Sequence, residues 1–126
     1  MSKKEILEDY NSESGLSVIV YDYGDVSEKG VKAVDGKVLF VDYVGYLEDG
    51  TIFSQSSDQG RQFQFKLGKG QVIPAWDEGF KNRWAGAEMT FVVPPHLAYG
   101  DAGSRDGSIP PDSIIIFDVK LRGVEY

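Results

Sequence analysis

This 126-residue sequence predicts an α+β domain in which a curved antiparallel sheet of about six strands wraps around one short helix. Two observations favour this fold. Runs of β-branched and aromatic residues recur between turn signals, as is typical of strands. A single internal segment, beginning at Pro74, has the features of a helix, and no segments are spaced like the alternating βαβ units of a parallel sheet.

The first thirteen residues are predicted to form an extension that contains a short helix over residues 2–10. Ser2 and Glu5 fit a capping box. Three apolar side chains would share one face of this helix: Ile6, Leu7 and Tyr10. The polar, glycine-bearing segment that follows ends the helix, and the domain itself is expected over residues 14–126.

Six strands are predicted from side-chain alternation or from β-branched and aromatic content. They span residues 16–23, 37–47, 51–53, 63–67, 88–93 and 113–124. Asp49-Gly50 is the turn signal of a hairpin between the second and third strands. The segments that join the strands are predicted loops at residues 24–36, 54–62 and 99–111.

The predicted core helix begins at Pro74, since proline suits the first helical position, where its missing N–H would have no partner. Asp77 and Glu78 complement the positive end of the helix dipole. As a catalytic carboxylate pair they are disfavoured, because neighbours on a helix point about 100° apart and do not flank one substrate bond.

Composition excludes several classes of function. The net charge of −7 and the pI of about 4.6 disfavour nucleic acid and anionic membranes as partners. The absence of cysteine excludes disulfides and thiol catalysis. The apolar runs are only as long as strands, and the first residues lack the apolar stretch of a signal peptide. We therefore expect a cytoplasmic protein as the sequence is written, or an exported one if this domain was cut from a longer chain.

Acid–base, nucleophilic and metal chemistry find little support in the sequence. His96 is the one histidine, it follows two prolines in a predicted surface turn, and no cysteine could join it on zinc. The acidic loop 101–107 has Gly103 and Arg105 where a calcium-binding loop needs ligands. Residues 68–70, Gly-Lys-Gly, lack the ending of a phosphate-binding loop.

Six aromatic residues remain as candidates for a site: Tyr43, Phe53, Phe63, Trp76, Tyr99 and Phe117. Core packing alone would explain them. A pocket is favoured because Trp76 lies in the first turn of the core helix and Tyr99 lies in a loop. Both side chains also carry a polar group that suits a surface shared with a ligand. Without a nucleophile or a metal, such a pocket would act through shape and desolvation.

Seven ordered segments resemble the FK506-binding-protein family of peptidyl-prolyl cis-trans isomerases. They are residues 14–16, 41–53, 63–68, 72–79, 98–100, 109–111 and 117–119, and the similarity extends from about Ser14 to Val124, nearly the whole chain. The first of them is similar to bacterial members. The resemblance implies a twisted antiparallel half-barrel of five to six strands around one short helix. It also implies an enzyme that accelerates isomerisation of Xaa-Pro bonds in protein folding, without a cofactor or a metal.

The resemblance assigns the site residues as well. It implies that the catalytic residues are Tyr43, Phe53, Trp76, Tyr99 and Phe117, and that the substrate-binding residues are Phe63, Val72, Ile73, Ile109 and Ser54. Trp76 would form the pocket floor. The Ile73 backbone amide and the Tyr99 hydroxyl would donate hydrogen bonds to peptide or macrolide carbonyls.

One departure from the family pattern concerns Ser54 and Gln59, where members usually carry an aspartate and an arginine that pair with each other. Ser108 is also more polar than the residue usual at its position. These changes predict weakened affinity for FK506 or rapamycin and leave a second interpretation open, a weakly catalytic or non-catalytic binding or chaperone module. The expected partners are proline-containing peptides and unfolded proteins, and the expected state is a monomer.

Overall fold

A seven-stranded antiparallel sheet dominates the computed structural model of the protein. The structure describes residues 5–60 and 62–125, except for the side chains of residues 58 and 59. The strands are β1 (Glu8–Asn11), β2 (Ser17–Asp22), β3 (Val38–Leu47), β4 (Ile52–Gln55), β5 (Phe63–Lys66), β6 (Glu88–Val93) and β7 (Ile115–Glu125). One α-helix, α1 (Pro74–Gly79), and two 3₁₀ segments, Ser56–Gln59 and Pro95–Leu97, complete the elements.

The strand order is β1-β2-β6-β7-β3-β4, and β5 also pairs with β3. The long strand β3 pairs along its whole length with β7. On its other edge it pairs first with β5, from Val38 to Val41, and then with β4, from Val44 to Tyr46. Two short strands thus share one edge of β3, and the 3₁₀ segment Ser56–Gln59 follows β4 in the connection between them.

The core lies between α1 and the face of the sheet that α1 covers, which is called the concave face below. Trp76 of the helix and Phe80, which directly follows it, are buried against aromatic rings of the sheet. The ring centroids of Phe65 and Trp76 are 5.7 Å apart, and those of Phe80 and Phe91 are 5.2 Å apart. A short helix is stabilised mainly by such packing and little by its own backbone. Among the described residues, no helix is long and apolar enough to cross a membrane.

The predicted N-terminal helix is wrong in the part that the structure describes. Residues 8–11 form β1, which pairs with residues 17–20 of β2. A tight turn joins the two strands, with Gly15 at φ +101° and its N–H bonded to Ser12 O at 3.0 Å. An isolated helix of nine residues is marginal in water, whereas a hairpin strand finds a ready backbone partner. Residues 1–4, which include the predicted capping residue, lie outside the described residues.

Two smaller corrections concern predicted loops. Residues 54–62 are not all loop, since β4 continues to Gln55 and a 3₁₀ turn follows. His96 lies in the second 3₁₀ turn and is exposed, as expected, but its Nε2 lies 2.5 Å from Ser14 O. The histidine therefore ties this turn to the segment that leads into β2.

Candidate functional site

A cavity of about 520 Å³ opens at the end of α1, on the concave side of the sheet. Its lining consists of Tyr43, Phe53, Ser54, Phe63, Gly70, Gln71, Val72, Ile73, Pro74, Trp76, Ala98, Tyr99 and Phe117. Nine of the ten predicted site residues are in this lining. The exception is Ile109, which is 3% exposed and belongs to the hydrophobic core. Trp76 and Phe117, which do line the cavity, are each only 4% exposed, so burial alone does not exclude Ile109 from the site, and its substrate-binding role stays a prediction.

Trp76 forms the floor of the cavity, and its indole is surrounded by rings in edge-on contact. Its centroid lies 5.1 Å from Tyr43, 5.7 Å from Phe63 and 5.2 Å from Phe117, with interplanar angles of 79–83°. Edge-to-face pairs of this kind contribute about 0.5–1.5 kcal/mol each beyond their buried area. The walls of the cavity are thus held in one arrangement before any ligand enters.

Gly45 allows two of these rings to approach the backbone of β3. A Cβ atom at this position would lie 2.7 Å from both Phe53 and Phe117. The two rings themselves are 5.6 Å apart. A glycine inside a strand is typical of a close approach, so this signal was present in the sequence although the prediction did not use it.

The polar edge of the cavity is a pair of hydroxyls on neighbouring strands. Tyr43 Oη and Ser54 Oγ are 2.7 Å apart, and either one can donate. The backbone N–H of Tyr43 donates to Ser56 Oγ at 3.0 Å. Tyr43 is therefore fixed at both ends, and Ser54 lies in the lining beside it, while its predicted role in binding substrate stays a prediction. The Gln59 side chain lies outside the described residues.

Asp77 holds the loop that leads into the helix. Its Oδ1 accepts from Gly68 N at 2.9 Å and its Oδ2 accepts from Gly70 N at 3.2 Å. Its role is therefore wider than the predicted complement to the helix dipole. The loop carries Val72 and Ile73 to the cavity wall, and within the described part of the chain the Ile73 N–H donates to no protein acceptor.

Tyr99 stands at the rim, where it is 39% exposed. Partial burial is the main cause that raises the pKa of its hydroxyl, with further contributions from Tyr43 and Asp106. The phenol therefore stays protonated over the physiological range and can donate. Among the described residues its hydroxyl has no hydrogen-bond partner.

The loop after Tyr99 is organised by an exposed carboxylate. Asp106 Oδ1 accepts from Ser104 Oγ, Ser108 N and Ser108 Oγ at 2.8, 2.9 and 2.7 Å. These hydrogen bonds, chiefly those from Ser108, lower the pKa of Asp106 to about 2. The Ile109 N–H in turn donates to Ser104 Oγ at 2.9 Å. Ser108 thus stabilises the loop and does not line the cavity.

One buried donor in the site has no partner in the described structure, the Nε1 of Trp76. An unpaired buried N–H costs about 1–3 kcal/mol. The indole therefore serves the cavity mainly as a rigid apolar surface.

The arrangement suits binding by shape and not acid–base or metal chemistry. Among the residues that the structure describes, the lining contains no carboxylate, amine, imidazole or guanidinium. No group of three or more potential metal ligands occurs among the described residues. A larger groove of about 660 Å³ has a lining that includes four charged residues, Asp42, Glu88, Asp118 and Lys120, of which Lys120 and Glu88 form an ion pair at 3.0 Å. The aromatic cavity is the stronger candidate, because it is apolar and has convergent donors.

The chain belongs to the FKBP-type peptidyl-prolyl cis-trans isomerase family, whose model matches residues 29–122. It is 45% identical over 94 residues to FK506-binding protein 2 of Yarrowia lipolytica, and the aligned region covers 75% of this chain and 65% of that protein. It is 44% identical over 95 residues to the FK506-binding protein of Neisseria meningitidis serogroup C, over 75% of this chain and 86% of that one.

A solved structure gives the same result for the fold. The crystal structure of AtFKBP13 superposes with a TM-score of 0.81 at 36% identity, over 92% of this chain and 98% of that chain. The predicted family and the predicted fold are confirmed. The roles given to individual site residues stay predictions, although their positions around one cavity agree with them.

Four lining residues were missed by the prediction: Gly70, Gln71, Ala98 and Pro74. Each is a sequence neighbour of a predicted site residue or lies two positions from one. They contribute backbone or small surfaces, which no side-chain pattern identifies. Gln71 also accepts from Lys66 N through its Oε1 at 2.9 Å, so it joins the loop to the end of β5.

Proposed function

We propose that this chain is a peptidyl-prolyl cis-trans isomerase that acts on Xaa-Pro bonds of peptides and unfolded proteins. The observation that carries the proposal is the rigid aromatic cavity, whose described lining has hydrogen-bond donors but no charged group. Family membership supports the same reaction.

The mechanism follows from the physics of the amide bond. Rotation about the prolyl bond is slow because resonance keeps the amide planar, with a barrier near 20 kcal/mol. Water stabilises the planar, charge-separated amide more than the twisted one. An apolar cavity that fits the twisted amide therefore lowers the barrier by binding it more tightly than the ground state. A thousandfold acceleration requires only about 4 kcal/mol of such differential binding.

The residues of the cavity fit this task. The proline ring would lie over the indole of Trp76, against Phe63 and Phe117. The Ile73 N–H and the Tyr99 hydroxyl would donate to peptide carbonyls on either side of the proline. No proton has to move and no covalent bond has to form, so the absence of a catalytic base from the lining agrees with the reaction.

The test is an exchange or protease-coupled assay on Xaa-Pro peptides, with and without FK506. We expect acceleration that FK506 inhibits only at raised concentration, since the drug would enter the same cavity. The variant Trp76→Ala should lose most of the acceleration. The variant Lys29→Ala should keep it, because Lys29 is exposed and is not part of the cavity lining. Turnover by the folded protein no faster than the uncatalysed reaction would overturn the proposal.

A second candidate is a binding module with weak catalysis. It is favoured by the hydroxyl pair of Tyr43 and Ser54, which stands where the family usually has a charged aspartate. The double variant Ser54→Asp with Gln59→Arg tests it. If the charged pair is needed, the rate on peptides and the affinity for FK506 and rapamycin should rise together; an unchanged rate would reject this explanation.

We extend the proposal to the setting in which the protein works. It would assist protein folding as a monomer, through the cavity alone and without a separate chaperone surface. Light scattering should give the mass of a single chain, and refolding of a proline-limited substrate should accelerate in proportion to peptide activity. A dimer, or refolding assistance that survives loss of peptide activity, would contradict this extension.

A further inference from the structure

The described polar side chains of the cavity are all neutral, in contrast to the strongly acidic character of the chain as a whole. The sequence contains 20 aspartate and glutamate residues and a net charge of −7, yet no acidic side chain that the structure describes lines the cavity. The side-chain hydroxyls that do line it belong to Tyr43, Ser54 and Tyr99. The electrostatic character of the site therefore depends on how these hydroxyls orient their protons.

The Tyr43–Ser54 pair always has one proton left over. Two hydroxyls 2.7 Å apart share one hydrogen bond, in which one oxygen donates and the other accepts. The proton of the accepting hydroxyl then remains available. Neither hydroxyl donates to another group within the described residues, so this second proton has no protein acceptor. The pair can therefore offer one O–H donor to a ligand in either arrangement.

A carboxylate at position 54 would reverse this property. An ionised carboxylate only accepts hydrogen bonds, so the Tyr43 hydroxyl would donate its one proton to the carboxylate, and the pair would have no donor left for a ligand. It would also add a negative charge to the cavity edge. The serine thus turns an anionic, accepting edge into a neutral, donating one.

We infer that Ser54 determines substrate specificity, and that this site accepts peptides with an acidic residue directly before the proline. This inference rests on the proposed isomerase function. The oxygen of the twisting amide belongs to the residue before the proline, so the side chain of that residue enters beside the same wall. There it would meet the neutral donor of the Tyr43–Ser54 pair, and no carboxylate belongs to the described lining.

The size of the effect follows from Coulomb's law. Two like charges about 6 Å apart repel enough to change an equilibrium by about threefold even in a water-like dielectric, and by more in a partly buried site. The other charges of the chain act equally on the wild type and its variants. Comparing Glu-Pro with Gln-Pro peptides removes differences of size, and comparing position 54 variants removes the background field.

The experiment measures kcat/KM for Glu-Pro and Gln-Pro peptides with the wild type, Ser54→Asp and Ser54→Asn. Asparagine is the matched control, because it has the shape of aspartate without its charge. We expect the Glu/Gln ratio to fall at least threefold in Ser54→Asp relative to both the wild type and Ser54→Asn. Raising the salt concentration should shrink the difference. A ratio equal in all three proteins would overturn the inference, as would a wild type that rejects the Glu peptide as strongly as Ser54→Asp does.

Peptide binding separates this inference from the proposed function. The dissociation constants of the same two peptides are measured by titration of amide NMR signals, which needs no turnover. If none of the proteins catalyses, the proposed function fails, but the same threefold change in the Glu/Gln affinity ratio would still support Ser54 as the determinant. An unchanged affinity ratio would refute it.

Discussion

Substituting Gly45 by alanine should damage the cavity from behind, without changing any residue that lines it. A Cβ at this position would lie 2.7 Å from Phe53 and from Phe117. Carbon atoms in contact are normally about 3.5–4.0 Å apart, so the two rings would have to move by about 1 Å. Overpacking of this kind destabilises by about 1–3 kcal/mol. Misplacing groups in a site by about 1 Å costs up to about a hundredfold in rate.

The matched control is Gly79→Ala, which creates a similar clash away from the cavity. Its Cβ would lie 2.6 Å from the ring of Phe91, which is fully buried in the core. Both variants should lose comparable stability in thermal or urea unfolding. In assays well below the melting temperature, only Gly45→Ala should lose kcat/KM by about tenfold or more.

Two results would refute this reasoning. If Gly45→Ala is destabilised but fully active, the rings absorb the methyl group without altering the site, and their positions are not important for catalysis. If Gly79→Ala loses as much activity as Gly45→Ala, the loss reflects general destabilisation. A third variant, Gly123→Ala, should change little, since its Cβ would meet only Phe40, at an ordinary 3.7 Å.

Three further predictions concern the supports of the site. Asp77→Ala removes both acceptors of Gly68 and Gly70, and should raise KM for peptides more than it lowers kcat and cost about 1–3 kcal/mol in urea unfolding. Trp76→Phe keeps an aromatic floor and removes the unpaired N–H, so it should lose far less activity in the peptide assay than Trp76→Ala. The pKa of Asp106 is depressed to about 2, so its stabilisation of the loop is present above pH 4 and is lost as the pH falls through about 2. Amide NMR signals of residues 104–109 should report this transition, and Asp106→Asn should abolish it.

Most of the sheet could be predicted because its strands carry their own signals. β6 was predicted over residues 88–93, as observed, and α1 began at Pro74 as expected. Alternating or β-branched residues define such strands locally, and proline at the first helical turn is an equally local signal. The aromatic site residues followed from the resemblance, since each lies within or beside a matching segment.

The errors arose where long-range contacts decide the structure. The pattern of Ile6, Leu7 and Tyr10 has helical spacing, but these side chains are exposed at 55%, 44% and 37% and no core receives them. Pairing with β2, a partner that the local pattern does not reveal, makes residues 8–11 a strand.

Residues outside the lining hold the backbone around the cavity in place, and these residues keep the cavity open. Aromatic side chains facing one another in water would collapse to bury their surfaces, unless the backbone that carries them were fixed at a distance. Here Asp77 fixes the loop on one side and Asp106 fixes the loop on the other, while Gly45 sets how closely two rings approach β3. Each of these three residues is polar or small, and none of them belongs to the lining. A site that works by shape therefore depends on residues that never touch the substrate, and activity should be more sensitive to these supports than their distance from the proline would suggest.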